Sequence, residues 1–194
     1  MTVDPQITPE IIREFVIASH FNLNKVKSML VEKPALLTVR HQWGENDFED
    51  GLGAASHVGN RPIAEFFLEQ GVPATICAAA MLGRTSDVAA FIQADPTQAN
   101  AHGAHGIPIL FHAALSGDTA LTTLLLDAGC NEGFDSAIHA AIMYGHADMV
   151  HWLLHNGVSD LQVKNHEGKP PLQKAIELDQ PVIVNLLRAH GAME

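Results

Sequence analysis

The feature that most constrains this chain is that it repeats itself. Four stretches, LGAASHVGNRPIAEFFLEQGV, ICAAAMLGRTSDVAAFIQ, ILFHAALSGDTALTTLLLDAGC and IHAAIMYGHADMVHWLLHNGV, align on Gly59, Gly83, Gly117 and Gly145. Two weaker copies flank them, with Phe21 and Asp179 in the glycine position. Each unit has an alanine-rich segment before its anchor and apolar residues five, eight and nine positions beyond it, as in Val150, Leu153 and Leu154. That spacing makes one stripe along an α-helix. The small residues before the anchor (Ala54 and Ala55, Ala79 and Ala80, Ala113 and Ala114, Ala140 and Ala141) let neighbouring helices approach closely. A two-helix unit cannot bury its faces alone, so stacked neighbours must complete the core. The expectation is an all-α solenoid of about six helix-turn-helix repeats.

Size and charge narrow the classes of function. The 194 residues fit a single domain, 1–194, with repeats at about 11–37, 50–72, 74–95, 108–130, 136–158 and 168–192. No run of about 18 apolar residues occurs, which argues against a membrane span. The start, MTVDPQITPEIIREF, lacks a basic region followed by an apolar stretch and a cleavage site, so no secretory signal is expected and the predicted location is cytoplasmic. Cys77 and Cys130 sit in apolar surroundings and read as reduced core residues. A formal charge of -11 with no Lys/Arg cluster disfavours nucleic acid and anionic membranes but leaves basic peptides or cations as partners.

The segments SAIHAAIMYGHADMVHWLLHNGV and GKPPLQKAIELDQPVIVNLLRAHGA are similar to the pattern GxTPLHxAAxxGHxxxVxxLLxxGA, and on them the chain resembles a divergent, bacterial-style ankyrin repeat protein from about Ile11 to Ala192. His139 occupies the histidine position of the TPLH element; Gly53, Cys77, Phe111 and Gln173 stand there in other copies, and the threonine of that element is absent. The resemblance implies that His139 bonds backbone within and between repeats. Successive anchors lie 38, 24, 34, 28 and 34 residues apart, so long and short connections alternate. The long ones, LTVRHQWGENDFED, DPTQANAHGAHGIP and SDLQVKNHEGKP, are rich in turn-forming residues, and three projecting fingers are expected.

In ankyrin arrays the residues between the small pair and the anchor face the concave surface, a usual contact site. Here they include His57 and Val58, Met81 and Leu82, Leu115, Met143 and Tyr144, and they read as an apolar stripe. Such a stripe is either an open ligand groove or a surface covered by the fingers. In the first finger, Trp43, Glu45, Asp47 and Phe48 form an acidic turn flanked by aromatics, either a solvated turn or a pincer for a basic group. Glu49 and Asp50 belong to the same acidic run, but it lacks calcium-loop spacing. His102 and His105 in AHGAHG supply at most two metal ligands, to which His57 or His112 could be added. His151 and His155 lie one turn apart on an outward helix and read as a solvated pair.

No GxSxG, HExxH, CxxC or Walker sequence occurs, and Ser56 and His57 are adjacent on a helix with diverging side chains. No catalytic residue, metal site or cofactor is therefore assigned. The leading reading is a non-enzymatic module that binds a partner protein or peptide of basic and apolar character through Trp43, Glu45, Asp47, Phe48, His57, Val58, Met81, Leu82, His102, His105, Leu115, Met143 and Tyr144. The alternative is a small-molecule or metal-dependent enzyme using His57, His102, His105 or His112 with Asp47 or Glu45. Oligomeric state is not legible in the sequence.

Overall fold

The computed structural model describes residues 7–193, whose α-helices come in consecutive pairs. These are α1 (Pro9–Phe21) with α2 (Leu23–Glu32), α3 (Gly51–His57) with α4 (Arg61–Glu69), and α5 (Ile76–Met81) with α6 (Thr85–Ala94). They continue as α7 (Ile109–Ser116) with α8 (Thr119–Asp127), α9 (Phe134–Met143) with α10 (Ala147–Asn156), and α11 (Pro171–Glu177) with α12 (Pro181–Ala189). Among the described residues no helix is long and apolar enough to cross a membrane.

The turn inside each pair follows from local chemistry. The four anchor glycines take φ between 67° and 75°, the left-handed conformation that ends the first helix. Asp179 adopts the same conformation at φ 52°, whereas α1 runs helical through Phe21. In three of the pairs the side chain of the residue after the anchor then caps the second helix. Asn22 Oδ1 accepts from the Lys25 N–H at 3.0 Å, Asn60 Oδ1 from Ile63 at 3.3 Å, and Asp118 Oδ1 from Ala120 and Leu121 at 2.9 and 3.1 Å.

First helices stack on first helices, α1 on α3 and onward to α11, while α6, α8, α10 and α12 form the second layer. All eight paired alanines are buried, and Ile63, Phe67, Leu121, Leu125, Val150, Leu153, Ile183 and Leu187 close over the first helices as the apolar stripe requires.

The array is bent sharply at its third pair. The six-residue α5 is built of Ile76, Cys77, three alanines and Met81, and α3 reaches across it to touch α7. His112 Nδ1 on α7 lies 3.4 Å from the Ser56 carbonyl of α3. Farther along, the Tyr144 hydroxyl of the fifth pair donates to the Val58 carbonyl of the second at 2.8 Å. The concave face thus folds over its own middle. Met81, Leu82 and Leu115 are only 1%, 4% and 5% exposed, which corrects the expectation that they stand open along a groove. The Arg61 guanidinium covers the end of α5, donating to the Met81 and Leu82 carbonyls at 3.1 and 2.8 Å.

The long connections differ in kind. The first is a hairpin, β1 (Arg40–Gly44) antiparallel to β2 (Asp47–Asp50), and Asp50 also caps α3 through the Gly53 N–H at 2.8 Å. The second holds two 3-10 turns, Pro96–Asn100 and Ala104–Gly106, closed by a bridge between His102 and Pro108. The third, between α10 and α11, is turned by Asn165, whose Oδ1 accepts from the Glu167 and Lys169 N–H groups.

Candidate functional site

Side chains alternate across a strand, so Asp47 and Glu49 share one face of β2 while Phe48 takes the other. Phe48 faces solvent under the Arg40 guanidinium, 5.5 Å from its ring centre. Glu49, opposite His41 in the hairpin register, is turned inward and only 1% exposed. Its Oε2 accepts from the Trp43 indole N–H at 2.7 Å.

Three imidazoles gather at its other oxygen, Oε1. His57 Nε2, from the C-terminal end of α3, lies 2.9 Å away; His20 Nε2, from the last turn of α1, lies 3.5 Å away. His105 Nε2 lies 3.3 Å away, on a residue held at φ 58° in the Ala104–Gly106 turn. His20 and His57 are themselves 2.9 Å apart through Nε2. Each outer ring is anchored from behind: His20 Nδ1–H donates to the Val16 carbonyl at 2.9 Å, and His105 Nδ1–H to Asp47 Oδ2 at 2.8 Å. None of the rings aims an N–H at Oε1 well enough to make a hydrogen bond, and that buried oxygen has no such partner among the described residues.

The cluster perturbs its own protonation. Burial by itself would raise the Glu49 carboxyl, but the His20 and His57 imidazoles and the Trp43 indole overcome it and hold the acid well below the usual carboxylate range. Burial likewise opposes the His20 cation, yet the Glu49 carboxylate and the Val16 and Ile17 backbone outweigh it, so His20 moves up.

His20, His57 and His105 open onto a groove of about 990 Å³ with an apolar lining that includes Phe21, Val58, Ile107, Phe111, Met143 and Tyr144. Phe21, Met143 and Tyr144 are 76%, 40% and 45% exposed. His139 borders the same groove but is structural: its Nε2–H donates to the Val163 carbonyl at 2.9 Å, and burial lowers its pKa.

Of the candidate residues, Trp43, Asp47, His57 and His105 come together around Glu49, while Val58, Met143 and Tyr144 line the groove and Glu45 faces solvent. His102 is exposed and 3.3 Å from Glu132, and with His112 it borders a separate pocket of about 400 Å³ beside Cys77. His112 is buried, which pushes its pKa down to about 4; burial pushes the Cys77 thiol up to about 12 and leaves it unreactive. The four histidines grouped from the sequence therefore do not share one centre. The partners of His57 and His105 are instead His20 and Glu49. Two signals pointed to them: the alternation of Asp47 and Glu49, readable once the finger is a strand, and the place of His20 at the end of its helix.

The family described as ankyrin repeats (3 copies) matches residues 15–159 and 110–193. The chain belongs to the ankyrin-repeat family. An ankyrin repeat protein of fowlpox virus (strain NVSL) is 29% identical over 115 residues, which cover 57% of this chain and 26% of the viral protein, about a quarter of that relative's length. Ankyrin repeats are in general protein–protein interaction modules. Within this ankyrin-repeat chain the paired helices and their turns follow the common pattern, whereas the histidine and glutamate centre joins the first two pairs to two fingers.

Proposed function

We propose that the protein is a non-enzymatic binding module whose concave groove takes an apolar, basic segment of a partner protein, presented against the Met143, Tyr144, Phe21 and Val58 side and bordered by the second and third long connections. The observation that carries this reading is the exposure of Phe21, Met143 and Tyr144 around an apolar concavity of about 990 Å³, although the helix layers behind it already form a closed core. Contiguous apolar surface of this kind marks a binding site more often than it occurs by chance. The net charge of -11 favours a basic partner over nucleic acid and speeds its encounter. A cytoplasmic setting belongs to the same proposal and suits the two free, buried cysteines.

The test needs no known partner. Random peptides displayed on phage are selected on the intact chain, and the survivors are measured by calorimetry on wild type, Phe21→Ser, Met143→Glu and the remote surface variant Val31→Ser. Selected peptides should be rich in Lys, Arg and apolar residues. Losing one apolar anchor removes about 1.5–3 kcal/mol, so each groove variant should weaken binding roughly tenfold or more while Val31→Ser does not. Peptides that bind Phe21→Ser and Met143→Glu as tightly as wild type would refute the groove.

A further inference from the structure

We propose that His20 and His57 with Glu49 form a binding site for one divalent transition-metal ion, of the class that takes imidazole and carboxylate ligands, and that the ion ties the first finger to the first two helix pairs, with His105 bordering the site. The inference goes beyond partner binding and does not depend on it.

Geometry supplies the first argument. Zinc holds imidazole nitrogen and carboxylate oxygen at about 2.0–2.2 Å, which places neighbouring ligand atoms roughly 3.3 Å apart in a tetrahedral shell. His20 Nε2, His57 Nε2 and Glu49 Oε1 stand 2.9, 2.9 and 3.5 Å from one another. A triangle with those sides has a circumradius of about 1.8 Å, so a point about 2.05 Å from all three atoms lies roughly 1 Å off their plane. These three residues also satisfy the convergence required of metal ligands, with every ligand atom within 4.8 Å of the others. His105 Nε2 also lies 3.3 Å from Oε1, but it does not converge with the other three ligand atoms, so it borders the site and the fourth position is left to a water or another donor.

Proton accounting supplies the second. A carbonyl can only accept, so the Nδ1 of His20 carries the hydrogen that bonds Val16, and a neutral ring then presents a bare lone pair at Nε2. His105 does the same with Asp47 behind it. Ligating histidines are oriented in this way, with the second ring nitrogen donating to a carbonyl or carboxylate. In the neutral rings, which a metal ion requires, these lone pairs lie beside a buried carboxylate oxygen. His57 Nε2 lies 2.9 Å from both His20 Nε2 and Glu49 Oε1, but it does not aim an N–H at the carboxylate. Glu49 Oε1 is accordingly left without a hydrogen-bond partner among the described residues although it is buried. One cation at the common point engages the His20 and His57 nitrogens and this oxygen together. The imidazole-rich set selects a borderline ion such as zinc, cobalt or ferrous iron over calcium or magnesium, which prefer oxygen cages.

The test uses the full chain, stripped with chelator and without peptide, so that its outcome is separate from that of the groove. Zinc is titrated by calorimetry in competition with a chelator of known affinity, and cobalt is followed by its visible absorption. The expected result is one ion per chain, with a cobalt spectrum of nitrogen and oxygen ligands in low coordination. Glu49→Gln, nearly isosteric, should weaken zinc at least a hundredfold. The double variant His151→Gln and His155→Gln, which removes an exposed histidine pair with ring centres 4.2 Å apart on α10, should leave the affinity unchanged. A wild-type chain that takes up no stoichiometric zinc or cobalt overturns the proposal by itself, leaving a proton-bridged cluster. So does a Glu49→Gln chain of native circular dichroism that binds as tightly as wild type, or an affinity that depends on His151 and His155.

Discussion

His112 offers a stability experiment whose size follows from its burial. It lies within α7 at 1% exposure, with Nδ1 3.4 Å from the Ser56 carbonyl. Its Nε2 has no hydrogen-bond partner among the described residues and faces Gly103, where an added β-carbon would stand only 2.5 Å from it. Burial therefore holds the ring neutral and lowers its pKa to about 4, against about 6.5 in the unfolded chain. Between those values the unfolded chain binds more protons than the folded one, so stability falls as pH drops from about 6.5 toward about 4 and is fully present above that window. The whole displacement corresponds to about 3 kcal/mol, and by pH 4.5 about 2.5 kcal/mol of it should be gone. Against a typical total of about 5–15 kcal/mol this is a large share. The measurement is urea unfolding of wild type and His112→Leu at pH 7.5 and 4.5, both with chelator. Taking the difference between the two proteins cancels the remaining histidines to first order. Leucine fills similar volume and removes only a long contact to a carbonyl that also accepts from the Gly59 N–H. The variant should be close to wild type at pH 7.5 and gain about 2–3 kcal/mol on it at pH 4.5. A difference that stays constant within about 0.5 kcal/mol across that range would show that the folded environment does not exclude the His112 charge.

Gly59 and Gly71 separate backbone strain from crowding. Both have positive φ, at 73° and 85°, but a β-carbon on Gly59 would stand 2.6 Å from the Tyr144 hydroxyl, whereas one on Gly71 meets nothing within 4 Å. Gly71→Ala should cost about 1–2 kcal/mol in urea unfolding, and Gly59→Ala at least about 1 kcal/mol more because it also displaces Tyr144; equal losses would show that Tyr144 does not press on Gly59. In the core, Leu125→Ala at 0% exposure should lose about 2–5 kcal/mol, and Val31→Ala at 83% exposure less than about 0.5 kcal/mol; similar losses at the two sites would contradict the layered core.

The layering was legible because it depends on short-range pattern. Alanine pairs, anchor glycines and leucine stripes lie within about twenty residues of one another, and helical geometry turns that spacing directly into packing. The centre around Glu49 was not, because its members at positions 20, 49, 57 and 105 have no common spacing and meet only through the stacking of pairs. His112 shows how a face can be read correctly and its depth missed. It lies five positions before Gly117, while His57 lies two before Gly59, so it sits about one helical turn deeper and enters the core instead of the rim. Met81, Leu82 and Leu115 were misplaced for a related reason. Their pattern suits an open concave face, and only the long-range contact of Tyr144 with Val58 reveals that the array closes over them.

The bend at α5 links the groove to the histidine centre. With Cys77, Ala78, Ala79 and Ala80 nearly flush with its backbone, α5 lets α3 and α7 meet across it. That approach brings the connection before α7, with His105 in it, down onto β2 and the end of α3, where His57 and Glu49 wait. It also brings Tyr144 to Val58, setting one wall of the groove against the other. Ala79 is only 1% exposed, and a larger side chain there would have to displace the helices packed around α5. One strain should then disturb two separate features, the gathering of imidazoles at Glu49 and the Tyr144 contact, although Ala79 touches neither. The small residues of the shortest helix thus do more than fill a core: they set the curvature on which both candidate binding features depend.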